Sequence, residues 1–166
     1  MIVLGIDPGL ATVGYGVVSF ENNRTLSLID YGTIETAAGL PTPRRLEQIA
    51  EGITKLIEKF RPHAVAFEEL FFNTNVKTAI SVAQARGAAL LAAYKLTHEL
   101  YEYTPLQVKQ AVVGYGRADK QQVQMMVKTL CCLREVPKPD DAADAVAVAI
   151  CHAHSAKTVG VLNTKI

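Results

Sequence analysis

The sequence predicts an α/β fold, a five-stranded mixed sheet with helices on both faces. Three observations carry this reading. Ile2–Ile6 is an unbroken apolar, largely β-branched run, the pattern of a strand buried on both sides at the centre of a covered sheet. Two more strand-like runs follow within the first 36 residues, separated by turn chemistry, which makes three antiparallel strands in succession. Beyond residue 42 helical and strand periodicities alternate, the order that lays helices over a sheet. With 166 residues, 49% of them hydrophobic, the chain can build one core. The expected organisation is a single domain over residues 1–154 with a C-terminal tail at 155–166.

Each element has its own signal. The first strand ends at Asp7, passes Pro8-Gly9, and the second strand runs from about Tyr15 to Phe20. Glu21–Arg24 is a polar turn, and Thr25–Thr36 alternates as a third strand. Thr42 followed by Pro43 reads as a helix cap and first helical position. Leu46, Ile49, Ile53, Leu56, Ile57 and Phe60 then recur at helical spacing, leaving Arg44, Arg45, Glu51, Lys55 and Glu58 for solvent. Pro62 stops that helix, and Ala64–Phe67 is a short buried strand leading to Glu68-Glu69. Leu70–Asn75 is an apolar loop ending in a capping Asn, and Val76 to about Glu99 is a long Ala-rich helix. Its Ala79, Ala83, Ala88 and Ala92 suit close packing, against the sheet first and against another subunit second. Leu100–Tyr103 is the fifth strand. Thr104-Pro105-Leu106-Gln107 is a capping box for a short helix carrying Lys109, and Asp119 with Gln122 repeats the device ahead of a helix over Lys120–Leu133. The last helix runs from Asp140 to about His154.

Composition narrows the function classes. Net charge is only +1, but residues 71–134 hold 8 Lys/Arg against 3 Asp/Glu, so the middle is basic and the flanks acidic. Cys131, Cys132 and Cys151 are odd in number and two are adjacent, which gives no disulfide framework and fits a reducing cytoplasm. The longest apolar stretches, Ala88–Tyr94 and Ala145–Cys151, fall far short of the roughly 18 residues that span a bilayer. No membrane association is expected. His63, His98, His152 and His154 read as surface or terminal histidines, and neither they nor the cysteines have zinc-site spacing.

The chemistry lies in the acids. Asp7 closes a central strand at a sheet edge where ligands commonly sit, although Asp-Pro-Gly is sound turn chemistry on its own. Glu68 repeats the placement at the end of the fourth strand. Asp141 and Asp144 are three apart and share a helix face, in surroundings so apolar that at least one of them should approach the core. Asp140 is better explained as a solvated acid favoured by the helix dipole. Four acids from three distant segments form the oxygen-ligand set of a hard cation, with magnesium expected and manganese as the alternative.

Gly5–Gly9, Glu68-Glu69-Leu70-Phe71, Gln84–Gly87, Gln107–Gln110 and Asp141–Ala145 together closely resemble the RuvC crossover junction endodeoxyribonucleases of bacteria, a resemblance that runs from Met1 to about His154. It implies a ribonuclease H-like fold, a homodimer, and metal-dependent resolution of four-way Holliday junctions in recombination and repair. It makes Asp7, Glu68, Asp141 and Asp144 both the catalytic residues and the ligands of magnesium, two ions per subunit. It leaves open any role for Glu69 or Asp140. The basic middle supplies phosphate contacts, for which Arg86, Lys109, Arg117 and Lys120 are the candidates, and Phe71 is placed to stack on an unpaired base. The branch-migration proteins RuvA and RuvB are the implied partners, in the cytoplasm.

Two other readings compete. The N-terminal hairpin also resembles the first phosphate loop of actin-like ATPases and sugar kinases, which need two domains around their nucleotide and therefore a longer chain. A junction-binding subunit without catalysis is the non-enzyme option, disfavoured because all four acids are present. Among related nucleases, a YqgF-type resolvase shares the strand-end Asp but matches the downstream motifs less well.

Overall fold

The computed structural model describes residues 1–21, 25–70, 76–156 and 165–166. Its elements in chain order are β1 (Ile2–Asp7), β2 (Thr12–Glu21), β3 (Thr25–Glu35), α1 (Thr42–Phe60), β4 (Ala64–Glu68), α2 (Val76–Tyr94), β5 (Leu100–Tyr103), α3 (Pro105–Val113), α4 (Lys120–Leu130) and α5 (Asp140–Ser155). The five strands form one sheet in the order β3-β2-β1-β4-β5. β2 is antiparallel to both β1 and β3, whereas β4 is parallel to both β1 and β5. The sheet is therefore mixed, with β1 at its centre, as an unbroken apolar strand requires.

Side-chain alternation sorts the sheet into two faces. Leu4, Ile6, Val13, Val17, Val65 and Phe67 point to one, where α1 and α2 cover them. Val3, Val18 and Ala66 point to the other, under α5, with α3 and α4 packed outside. α5 is buried almost all round, from Ala142-Ala143 and Ala145 through Ala153. It lies unusually low on the sheet because the residues beneath it are glycines. A Cβ on Gly5 would stand 2.1 Å from the Ala145 carbonyl oxygen, one on Gly14 2.0 Å from that of Asp141, and one on Gly16 2.5 Å from Val146 Cγ2. Gly5 pairs with Gly16 across β1 and β2, and Gly14 pairs with Asp7, so these glycines form one patch beside the first acid.

Both expected capping boxes are present, Thr104 with Gln107 and Asp119 with Gln122. Several boundaries differ from the sequence reading. α1 begins at Thr42 with Pro41 as its cap residue and no side-chain cap, so Thr42 lies inside the helix. Arg45 is half-buried instead of solvated, its Nε donating to Thr36 Oγ1 at 2.8 Å while that hydroxyl donates to the Leu10 carbonyl at 2.6 Å. α2 stops at Tyr94 and not near Glu99, because Leu96 and Thr97 both bond back to the Ala93 carbonyl and the Thr97 hydroxyl accepts from Glu99 N. Its buried face is Ala85, Ala89, Ala92 and Ala93; Ala83 is exposed and Ala88 half-buried, so of the expected small-residue stripe Ala92 alone is core among the described side chains. α4 ends at Leu130, where Cys132 takes a left-handed conformation (φ 52°) and Leu133 N bonds to the Lys128 carbonyl.

His152 overturns the expectation that every histidine is superficial. It is 4% exposed, and its Nδ1 shares a 2.8 Å hydrogen bond with the Tyr103 hydroxyl. The expected tail at 155–166 begins as the end of α5, and its last two residues return to β5: Ile166 N bonds to the Leu100 carbonyl at 3.0 Å and Lys165 pairs with Glu99 at 2.6 Å. Among the described residues no helix is long and apolar enough to cross a membrane. The expected turn at 22–24 and the loop with its capping Asn75 lie outside the described residues.

Candidate active site

The alternation that sends Leu4 and Ile6 to one face directs Asp7 to the other, beyond Val3 and Gly5 and under α5. On β4 the same rule places Ala66 and Glu68 on that face, and β4 runs parallel to β1 with Ile6 beside Phe67, so both acids leave the sheet at the same end. The first two turns of α5 carry Asp141 and Asp144 over this end. The glycine patch lets the helix descend far enough for the charges of its carboxylates to act on Asp7.

The electrostatics follow from this proximity. Asp7 is pushed up to about 8, first by burial and then by the charges of Glu68, Asp144 and Asp141, with a hydrogen bond to Glu68 adding to the effect. Glu68 is raised by burial and by Asp144, opposed by its bond to Asp7 and by the charges of Lys120 and Lys109. Asp144 is raised by burial, against the pull of Lys120. Each of these acids is raised by too little solvent and by like-charged neighbours, a combination that a cation relieves. Among the described residues no three acids, histidines or cysteines form a ready-made metal cage. The donor chemistry nevertheless fits a hard cation: oxygen ligands only, carried on three elements.

Beside the acids opens a cleft of about 190 Å³, lined by Glu68, Asp144, Lys109 and Lys120 together with Pro105, Val108, Val123 and Ala147. Lys109 comes from α3 and Lys120 from the first residue of α4. Lys120 Nζ lies 2.9 Å from Asp144 and 3.3 Å from Asp140. Partial burial works against its charge, but Asp144 and then Asp140 outweigh this and hold the ammonium above its ordinary range.

The remaining candidates separate. Arg117 is exposed on the segment before α4. Arg86 ion-pairs with Glu102 of β5, both side chains about one-fifth exposed, and so faces the sheet instead of open solvent. Phe71 lies outside the described residues. Glu69 follows the end of β4, its amide donating to the Tyr103 carbonyl. Sequence reasoning passed over three supporting features. These are the glycine patch, the Arg45–Thr36–Leu10 chain that holds the turn after Asp7, and the His152–Tyr103 bond between α5 and β5. Glycine spaced by two along β2, at 14 and 16, opposite an Ala-rich helix was the one available signal.

A family model described as crossover junction endodeoxyribonuclease RuvC matches residues 3–152. The chain belongs to the RuvC family. A curated RuvC of Alkaliphilus oremlandii is 60% identical over 155 residues, covering 93% of this chain and 94% of its own. That of Clostridioides difficile is 58% identical over 157 residues, covering 95% and 92%. A structure titled as Thermus thermophilus RuvC in complex with Holliday junction substrate superposes with a TM-score of 0.89 at 39% identity, over 94% of each chain. The yeast mitochondrial resolvase Ydc2, at 16% identity and a TM-score of 0.68, shares the fold. The fold is thus the ribonuclease H-like one expected. RuvC membership makes the chain a crossover junction endodeoxyribonuclease, a hydrolase of recombination and repair with the divalent-metal dependence general to that family.

Proposed function

We propose that the chain resolves four-way junctions as a homodimer, each subunit nicking one of two equivalent strands, with Asp7, Glu68, Asp141 and Asp144 as catalytic residues and metal ligands. The observation that carries this is the convergence of four carboxylates from β1, β4 and α5 on one end of the sheet, next to a cleft walled by two lysines. Magnesium is the expected ion, two per subunit, with manganese as the alternative. Such ions supply Lewis acidity that activates a water and stabilises the leaving 3′ oxygen. The protein's own residues do the rest. Asp7 and Glu68 are fixed by the strand ends, Asp141 and Asp144 by the helix resting on glycine, so the carboxylates are positioned before substrate arrives. Lys109 and Lys120 face the cleft from α3 and α4 and receive the phosphate next to the scissile bond, and Arg117 holds the backbone further out. Arg86 serves the fold through Glu102, and Phe71 stacks on a base at the junction. Attack by water with departure of the 3′ oxygen leaves 5′-phosphate and 3′-hydroxyl ends, which a ligase can seal.

A junction presents its two strands about a two-fold axis, and a dimer with the same symmetry places one site on each. RuvA and RuvB are the proposed partners, in the cytoplasm, with residues 1–154 acting as the nuclease domain. The test is a synthetic mobile four-way junction incubated with and without magnesium, alongside Asp7→Asn. Paired, symmetric, ligatable nicks that disappear in the variant and without metal are expected. Tight binding without metal-dependent nicks on several junction sequences would leave a structural binder as the better account.

A further inference from the structure

Lys120 stands between two acids of unequal standing. Asp140 and Asp144 are four residues apart, hence neighbours on α5, and the ammonium is shared between them at 3.3 and 2.9 Å. Asp144 belongs to the buried acid group and lines the cleft; Asp140 is 64% exposed and does not. The lysine's backbone has little freedom, since it opens α4 directly after the Asp119–Gln122 capping box. Only its side chain can redistribute between the two carboxylates.

We propose that Asp140 is a positioning residue for Lys120, an outer anchor that draws the ammonium away from Asp144 and so lets Asp144 take up a divalent cation. This rests on the reading of Asp144 as a metal ligand. A cation and an ammonium compete for the same carboxylate oxygens, and whatever binds at Asp144 must displace Lys120 from it. With Asp140 one turn away, the displaced ammonium keeps a partner at the mouth of the cleft, still facing the path of the phosphate. Without Asp140 its one remaining ion-pair partner among the described residues is Asp144. Exposed ion pairs are weak and break readily, which suits an exchange of partners better than a fixed strut.

The decisive measurement is manganese binding to the full-length protein without DNA, read by electron paramagnetic resonance, in a double-mutant cycle of Asp140→Asn and Lys120→Met. Asp140→Asn is expected to weaken manganese binding about two- to five-fold, the scale of an exposed ion pair. Lys120→Met is expected to strengthen it. In the Lys120→Met background Asp140→Asn is expected to change nothing, because no ammonium is left to anchor. Asp140→Glu keeps the anchoring charge and stays near wild-type affinity, and the half-saturating magnesium for nicking follows the same ranking. Equal weakening by Asp140→Asn with and without Lys120 would show a plain loss of negative field and overturn the proposal, as would no weakening at all. Loss in Asp140→Glu as large as in Asp140→Asn would overturn it too. Asp7→Asn separates the two levels. If it leaves manganese binding intact, the metal-site reading fails; if it abolishes binding while the cycle shows no coupling, only the anchor is lost.

Discussion

Replacing Gly14 by alanine tests whether the glycine patch sets the geometry of the acids. The new Cβ would stand 2.0 Å from the Asp141 carbonyl oxygen and 2.4 Å from its carbon, both main-chain atoms that no rotamer change can move. Reaching ordinary van der Waals contact requires α5 to lift by roughly 1.4 Å at this end. Overpacking of this kind costs about 1 to 3 kcal/mol of stability. The larger effect falls on chemistry, because Asp141 and Asp144 rise with the helix while Asp7 and Glu68 stay on the strands. A misplacement of about 1 Å in a preorganised site costs on the order of 10²-fold in rate. Urea unfolding supplies the first number, and single-turnover nicking of a four-way junction at saturating magnesium supplies the second. Gly39→Ala is the control, since its Cβ meets nothing within 4 Å; it should stay within about 0.5 kcal/mol and nick normally. A Gly14→Ala protein with wild-type stability and rate would refute the idea that the helix is seated by this contact.

Other expectations follow from the same structure. Burial holds His152 near 4, so below about pH 6.5 the unfolded chain gains a proton that the folded one refuses, and stability falls with falling pH. Urea unfolding should show a loss of roughly 1.5 kcal/mol between pH 6.5 and pH 5, absent in His152→Gln. Asp7→Asn should raise the thermal midpoint by a few degrees in chelator near neutral pH while abolishing nicking, since it removes a carboxyl that ionises in the unfolded chain but is held protonated in the fold by burial and its acidic neighbours; an unchanged or lower midpoint would contradict the electrostatic picture. Arg86→Met strands Glu102 and should lower stability by about 1 to 3 kcal/mol. Weaker junction binding at unchanged stability would instead return Arg86 to the phosphate contacts. Lys109→Ala should weaken junction binding and reduce the slope of log affinity against log salt by roughly 0.9, the share of one phosphate.

The strands and the acids were legible because both follow local rules. Ile2–Ile6 announces a doubly covered strand, and Asp7 and Glu68 each close an apolar strand; that the two share a face follows only once the register of β1 against β4 is known. The helix ends were less legible. α2 is stopped at Tyr94 by the need to return the chain to β5, and α4 by a left-handed Cys132, a conformation its side chain does not advertise. His152 escaped because its burial depends on Tyr103, far off in sequence. The Arg86–Glu102 pair was hidden for a similar reason: the partner sits on another element, and a basic residue in a basic segment gives no sign of it.

The order of the elements also dictates when the molecule comes into being during its own synthesis. All five strands are made by residue 103, and α1 and α2 are available to cover one side of them. The opposite side, with its glycine floor, has to wait for α5, which leaves the ribosome last of all the helices. A nascent chain therefore carries two of the four proposed metal ligands on a half-clothed sheet and still lacks the other two. The residues that finish the core are on the same helix as two of the proposed metal ligands, so core and candidate site are completed in one step.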